Sequence, residues 1–215
     1  RKALAIKADY AKAYNNLGNA LKEFGNLDDA VASYHKALTI NSDYAEAHNN
    51  LGNALQELEK LDDAVASYRK ALTITPELAE AHNNLGNALK ELGRLDDAVA
   101  SYRKALTINS DYAEAHYNLG NALQDMGRLD DAVTSYREAL TINSDYAEAH
   151  NNLGNALKKL GNLDYAVASY HKALAIDPDY KEAWNNLKFA VKALQAFNSG
   201  EDGNTEPGAE ELSTD

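Results

Sequence analysis

The sequence predicts an all-α chain, a solenoid of antiparallel helical hairpins, and three observations predict it. A 34-residue unit recurs from Ala11 to Tyr180 in five copies without an insertion or deletion. Each copy carries two apolar patterns of helical period. A breaker, most often glycine, parts the two. The copies at 45–78 and 79–112 agree at 27 of 34 positions, which fixes the register of the repeat. A period of this length is the mark of stacked supersecondary units, none of which can bury its apolar face alone.

The elements follow in order within the first copy. Ala13, Leu17, Ala20 and Leu21 fall at the 3 and 4 spacings of one helical face. Gly25 stops that helix as a left-handed residue beyond its C-terminus. Asp28 is placed to cap a second helix, Asp29 favours its first turn, and Lys36 lies toward its C-terminal end. Ala30, Val31, Tyr34, Ala37 and Leu38 supply its apolar face. Ser42 and Asp43 restart the cycle, with Glu46 at capping-box spacing from Asp43. Five such hairpins occupy 11–44, 45–78, 79–112, 113–146 and 147–180. Residues 1–10 match the last ten positions of a copy and read as the remnant of a preceding second helix, so the chain opens inside a repeat, as a piece of a longer array would.

Composition excludes several classes. The chain has 33 acidic against 21 basic residues, a formal charge of −12, and no cysteine. Disulfide scaffolds and cysteine-ligated zinc are therefore out. Phosphate binding needs clustered Lys and Arg, so nucleic acid is not the expected partner. No uncharged apolar run approaches 18 residues, and Arg1 to Tyr10 lack the apolar core of a secretory signal. Cytoplasm is the default compartment.

The residues resemble the tetratricopeptide repeat family, whose signature sets an aromatic before Leu-Gly, then Ala, three residues and an aromatic. Tyr14, Leu17, Gly18, Leu21, Ala30, Tyr34 and Ala37 fill that frame in the first copy, and Leu51, Gly52, Ala64, Tyr68 and Ala71 in the second. The resemblance implies a right-handed superhelix whose concave face is lined by the first helix of each repeat. The family's late proline survives only as Pro76 and Pro178, with Ser42, Ser110 and Ser144 elsewhere. Glu59 stands where other copies have the stop glycine, and in a left-handed conformation it would carry strain of about 1 kcal/mol. Lys188 replaces the packing glycine in the sixth copy. No second helix follows it, so 181–197 is expected to be a capping helix with Trp184, Val191 and Leu194 turned inward. The remainder, 198–215, has six acids and no base, the composition of a disordered tail.

The resemblance further implies that the second, fifth, sixth, ninth, twelfth and thirteenth positions of each copy face the concave side. The sixth is asparagine throughout: Asn16, Asn50, Asn84, Asn118, Asn152 and Asn186. The ninth repeats as Asn19, Asn53, Asn87, Asn121 and Asn155, and the fifth is asparagine except at Tyr117. Asparagine is a middling helix former, so propensity does not explain these columns. A carboxamide has two donors and an acceptor and suits an extended peptide backbone. The columns are similar to the asparagine ladder in the tetratricopeptide arm of O-linked N-acetylglucosamine transferases, although asparagine here also serves packing across the family.

The expected function is therefore a protein-interaction scaffold that holds an extended peptide. Five repeats at roughly 10 Å each would give a groove of about 50 Å, enough for about 15 extended residues. Glu46, Glu80, Glu114, Glu148 and Glu182 at the second position, with Glu23, Glu57, Glu91 and Asp125 at the thirteenth, favour a partner with some positive charge. The family's clamp for chaperone C-termini needs lysine where this chain has Asn15 or Asn49, and again where it has Glu80 or Glu114, so those tails are not expected ligands. His48, His82, His116 and His150 recur a repeat apart, too far for one metal, and are read as packing residues. The Asp pairs at Asp28, Asp62, Asp96 and Asp130 read as helix caps. No phosphate loop, nucleophile elbow or metalloprotease helix is present, so no catalytic residue, cofactor or metal is expected. Two alternatives stand beside the scaffold: a substrate-recruiting arm of a larger glycosyltransferase-like enzyme, and self-association through the open N-terminal repeat.

Overall fold

Alanine and leucine at the 3 and 4 spacings build a helix in every place the repeat calls for one. A computed structural model describes residues 2–199, and among these it contains eleven helices and no strand. The chain forms two units, 1–144 and 145–215. In the first, α1 (Lys2–Glu23), α3 (Ala45–Glu57), α5 (Ala79–Glu91) and α7 (Ala113–Asp125) are the first helices of successive hairpins. Their partners are α2 (Leu27–Ile40), α4 (Leu61–Ile74), α6 (Leu95–Ile108) and α8 (Leu129–Ile142). The second unit holds α9 (Ala147–Lys159), α10 (Leu163–Ile176) and α11 (Lys181–Ser199).

Within the first unit α1, α3, α5 and α7 touch one another as well as their partners. Among the described residues, α2, α4, α6 and α8 meet only first helices. The row of first helices is thus the tighter of the two layers, and its outer surface forms the inside of the curve in that unit.

One joint recurs in all five hairpins. Gly18, Gly52, Gly86, Gly120 and Gly154 lie against the rings of Tyr34, Tyr68, Tyr102, Tyr136 and Tyr170, and a Cβ on any of these glycines would fall 2.5–2.6 Å from the ring. The five rings are fully buried. Alanines on both helices complete the core, among them Ala47, Ala54, Ala64 and Ala71 in the second hairpin, each at 0% exposure. Small residues let the backbones approach, and the tyrosine fills the remaining space.

The structure corrects several boundaries. The expected break between residues 10 and 11 is absent, because α1 runs straight through it. Lys7-Ala8 stand there in place of Asn-Ser, Thr-Pro or Asp-Pro, and good helix formers give the chain no reason to turn. Asp28 is not a cap. The N-cap positions of the second helices are Asn26, Lys60, Arg94, Arg128 and Asn162, none with a side-chain cap bond, and the Asp residues sit inside the first turn. There their charge meets the partial positive charge of the helix N-terminus. Nor do Asp43 and Glu46 make a capping box, since Tyr44 holds the N-cap without a side-chain bond. The turn is closed instead by Asn41, whose side-chain oxygen accepts the Asp43 N–H at 3.2 Å, and by Asn109 and Asp177 in the same way. Helix α11 continues to Ser199, past the expected end at Phe197. Its inward residues are Ala183, Leu187 and Ala190, whereas Trp184 is 55% exposed and Val191 and Leu194 are half-buried. The acidic stretch after Ser199 lies outside the described residues.

Glu59 adopts φ 59°, in the region that Gly25, Gly93, Gly127 and Gly161 occupy at 73–79°. Its N–H donates to the Gln56 carbonyl and that of Lys60 to the Leu55 carbonyl, a Schellman closure built on a non-glycine residue. Glu59→Gly is expected to stabilise the fold by about 0.5–1 kcal/mol, the relief of left-handed strain less the added freedom of the unfolded chain. A thermal melt reads this as a rise of a few degrees. A lowered midpoint would mean the carboxylate makes a compensating contact.

Candidate functional site

The site is assembled on the first helices. In the first unit each carries the sixth, ninth, twelfth and thirteenth positions of its repeat on the inside of the curve, and where the fifth is asparagine it lies beneath them. Asn15, Asn49, Asn83 and Asn151 at the fifth position are only 0–3% exposed, so they belong to the core between repeats and not to the groove surface. Their amides donate to the second-position carboxylate of the next repeat: Asn15 to Glu46 at 3.1 Å, Asn49 to Glu80 at 3.0 Å, Asn83 to Glu114 at 3.2 Å and Asn151 to Glu182 at 3.1 Å. These glutamates are thus inter-repeat acceptors, a role that capping had obscured.

The sixth-position column is built on the fifth. Asn50 donates to Asn15 Oδ1, Asn84 to Asn49, Asn118 to Asn83 and Asn186 to Asn151, at 3.0–3.2 Å. Asn50, Asn84, Asn118, Asn152 and Asn186 are half-buried, and Asn16 is exposed. The ninth-position column serves the core tyrosines: the hydroxyls of Tyr34, Tyr68, Tyr102, Tyr136 and Tyr170 donate to Oδ1 of Asn19, Asn53, Asn87, Asn121 and Asn155 at 2.8–2.9 Å. All five of these asparagines are half-buried.

One pair shows what is left over. Asn84 Nδ2 donates to both Asn49 and Asn53, which uses both of its N–H groups. Asn53 Oδ1 accepts from both Asn84 and Tyr68, which uses both of its lone pairs. The pair therefore turns an acceptor, Asn84 Oδ1, and a donor, Asn53 Nδ2, toward whatever lies above it. Both residues line a cleft of about 570 Å³ on the inside of the first unit.

The cleft is acidic. Glu57, Glu80, Glu91 and Glu114 line it, with Lys22 as its one basic residue. In the first three repeats the twelfth position reaches the thirteenth of the next: Lys22 pairs with Glu57 at 2.9 Å and Lys90 with Asp125 at 3.6 Å, while neutral Gln56 donates to Glu91. Tyr112, on the same wall, is pushed up to about 12 by burial and by Glu114 and Glu80, against the pull of its hydrogen bond with Asn83. Burial, with Glu57 and Glu23 adding to it, likewise raises Tyr34 to about 12.

The recurrent histidines pin turns. Nε2 of His48, His82 and His116 donates to the carbonyls of Ser42, Pro76 and Ser110 at 2.9–3.0 Å, and Trp184 Nε1 does the same to Pro178 at 2.9 Å. No group of three or more metal-ligating side chains gathers among the described residues. No helix there is long and apolar enough to cross a membrane.

Comparison with known proteins gives the same frame. The structure is similar to that of MamA, at 28% identity over 75% of this chain and 94% of that one with a TM-score of 0.70. It is similar to YrrB, a TPR protein with an unusual peptide-binding site, at 28% identity over 87% and 96% with a TM-score of 0.69. PilF of Pseudomonas aeruginosa shares the fold at 22% identity over 91% and 89% with a TM-score of 0.80. No curated protein sequence matches significantly. Sequence profiles for the TPR repeat match residues 18–59, 56–93, 86–127 and 121–161, and that for the tetratricopeptide repeat matches 147–180. With its glycine-tyrosine joints in register across that span, the chain belongs to the tetratricopeptide repeat family.

Proposed function

We propose that the chain is a protein-interaction scaffold, without catalytic activity of its own, that holds an extended segment of a partner against the row of first helices. The observation that carries this reading is the acceptor and donor left over on Asn84 and Asn53 in the cleft. An extended backbone offers an N–H to the first and a carbonyl to the second. Asn16, Asn19, Asn50, Asn87, Asn118, Asn121, Asn152, Asn155 and Asn186 hold the same positions in the other repeats and are the further contacts of this proposal. Contacts to backbone carry no side-chain preference, so selectivity falls to the glutamates, which favour a segment bearing lysine or arginine. The similarity to YrrB, a TPR protein with a peptide-binding site, supports a peptide as the ligand.

The test compares this chain with an Asn50→Ala, Asn84→Ala, Asn118→Ala variant in capture from lysate, followed by affinity measurement on each captured partner. The three amides also brace Asn15, Asn49 and Asn83, so melting curves must first show both proteins folded at the working temperature. Each net hydrogen bond is worth about 0.5–1.5 kcal/mol. A single change is then expected to weaken binding by less than about tenfold and the triple change by on the order of a hundredfold. Equal affinity of the triple variant for a partner shown to sit in the groove would end the ladder reading.

A further inference from the structure

Helix α11 carries a shallow groove of about 830 Å³, all of whose lining residues belong to that helix, from the core-facing Leu187 round to the exposed Trp184 and Phe189. Trp184, Lys188, Val191 and Gln195 follow one another at spacings of four, three and four, a single stripe, with Phe189 and Lys192 on its margins. Trp184 is 55% and Phe189 66% exposed. Among the described residues neither Lys188 nor Lys192 pairs with a carboxylate, and Glu182, the one acid on the helix, is held by Asn151. In a chain of charge −12, this is a largely apolar face that carries two lysines.

We propose that this groove is the docking site of the chain's own C-terminal segment, with Glu210 and Glu211 on Lys188 and Lys192 and Leu212 against Trp184. Charge complementarity selects the occupant: residues 200–215 contain six carboxylates and no base. Reach admits the residues, and Leu212, the one large aliphatic side chain in 200–215, selects the adjacent Glu210 and Glu211 over Glu206. Along the helix Lys192 and Lys188 lie about 10 and 16 Å back from Ser199. A flexible chain of eleven or twelve residues, the distance from Ser199 to Glu210 and Glu211, has an end-to-end span of about 18–20 Å. Glu201 and Asp202 follow the helix end too closely to fold back onto it. Tethering raises the local concentration of the segment to the millimolar range, so a few exposed contacts suffice to seat it. This inference is independent of the reading of the asparagine face.

Trp184 is the only tryptophan in the chain and lies in the groove, so its fluorescence reports occupancy directly. In the intact protein at low salt the indole is expected to emit to the blue and to be shielded from acrylamide. Lys188→Glu with Lys192→Glu, or Glu210→Lys with Glu211→Lys, should shift the emission to the red, as should high salt, with a roughly twofold rise in the quenching constant as the ion pairs are lost. Combining the two charge reversals should restore the original spectrum, which no merely local effect of either pair would do. Spectra unchanged by either reversal and by salt would overturn the proposal. Shielding that depends on protein concentration would overturn it too, in favour of a second copy as the occupant.

Discussion

Gly86→Ala is expected to destabilise the protein by about 2 kcal/mol although alanine is the better helix former. The new Cβ would stand 2.5, 2.7 and 2.9 Å from three atoms of the Tyr102 ring. That ring is fully buried, and its hydroxyl is held by Asn87 at 2.8 Å. Overpacking of a filled core costs about 1–3 kcal/mol, and contact with three ring atoms at once puts this case at the upper end or beyond. Replacing glycine by alanine in a helix interior returns about 1 kcal/mol. Tyr102→Ala alone removes the ring and should cost about 3–5 kcal/mol. The double variant should cost less than the sum, because the methyl then enters space the ring has vacated. Each repeat leans only on its neighbours, so hydrogen exchange should place the loss in α5 and α6 and the helices beside them, with α1 the least affected first helix of its unit. Additive effects in the double variant would show that the ring steps aside and that the glycine is not required for the joint.

The second large effect is alkaline. Tyr34 is raised from 10.0 to about 12, and Tyr68, Tyr102, Tyr136 and Tyr170 are raised further, in each case first by burial. Nearby acids add to it, Glu91 beside Tyr68 and Tyr102 and Glu182 beside Tyr170. A tyrosine whose folded pKa lies above its unfolded value contributes stability that is intact below pH 10 and lost as pH rises toward the folded value. The unfolded chain sheds these protons first, so stability falls with pH in that window. For Tyr34 alone two pH units correspond to about 2–3 kcal/mol, and four more buried tyrosines add to it. The helical signal should therefore hold to about pH 10 and then collapse together with the appearance of tyrosinate absorbance. Tyrosinate appearing at an ordinary pH while the helices persist would contradict the burial of these hydroxyls.

The hairpins were legible because alanine, leucine and tyrosine obey a 3.6-residue period, and the glycine-tyrosine joint because both residues repeat in step. The asparagine face was only half legible. Positions five and six are adjacent polar residues on one helix, and periodicity does not say which of two adjacent asparagines lies under the surface. The structure buries Asn49 and leaves Asn50 at the rim. A signal did exist: the fifth-position asparagine and the glutamate 31 residues later recur together, as Asn15 with Glu46 and Asn49 with Glu80. It was masked because a glutamate three residues after Asp43 also satisfies the spacing of a capping box. Trp184 was misplaced for a similar reason. An aromatic residue in a terminal helix suggests a core contact, yet its indole takes the place of a histidine that holds a turn carbonyl.

Between the first four copies the Asn-Glu and Asn-Asn bonds are copies of one another, and that makes this stretch of the array editable. Removing residues 79–112 would bring Asn49 opposite Glu114 instead of Glu80, and Asn118 opposite Asn49 instead of Asn83, with every donor again facing the acceptor it requires. A gene encoding such a chain can gain or lose whole units of this stretch by unequal recombination without a compensating substitution for these bonds at the seam. The length of the inner face is then a quantity that inheritance adjusts in steps of 34 residues, separately from the chemistry of any one step.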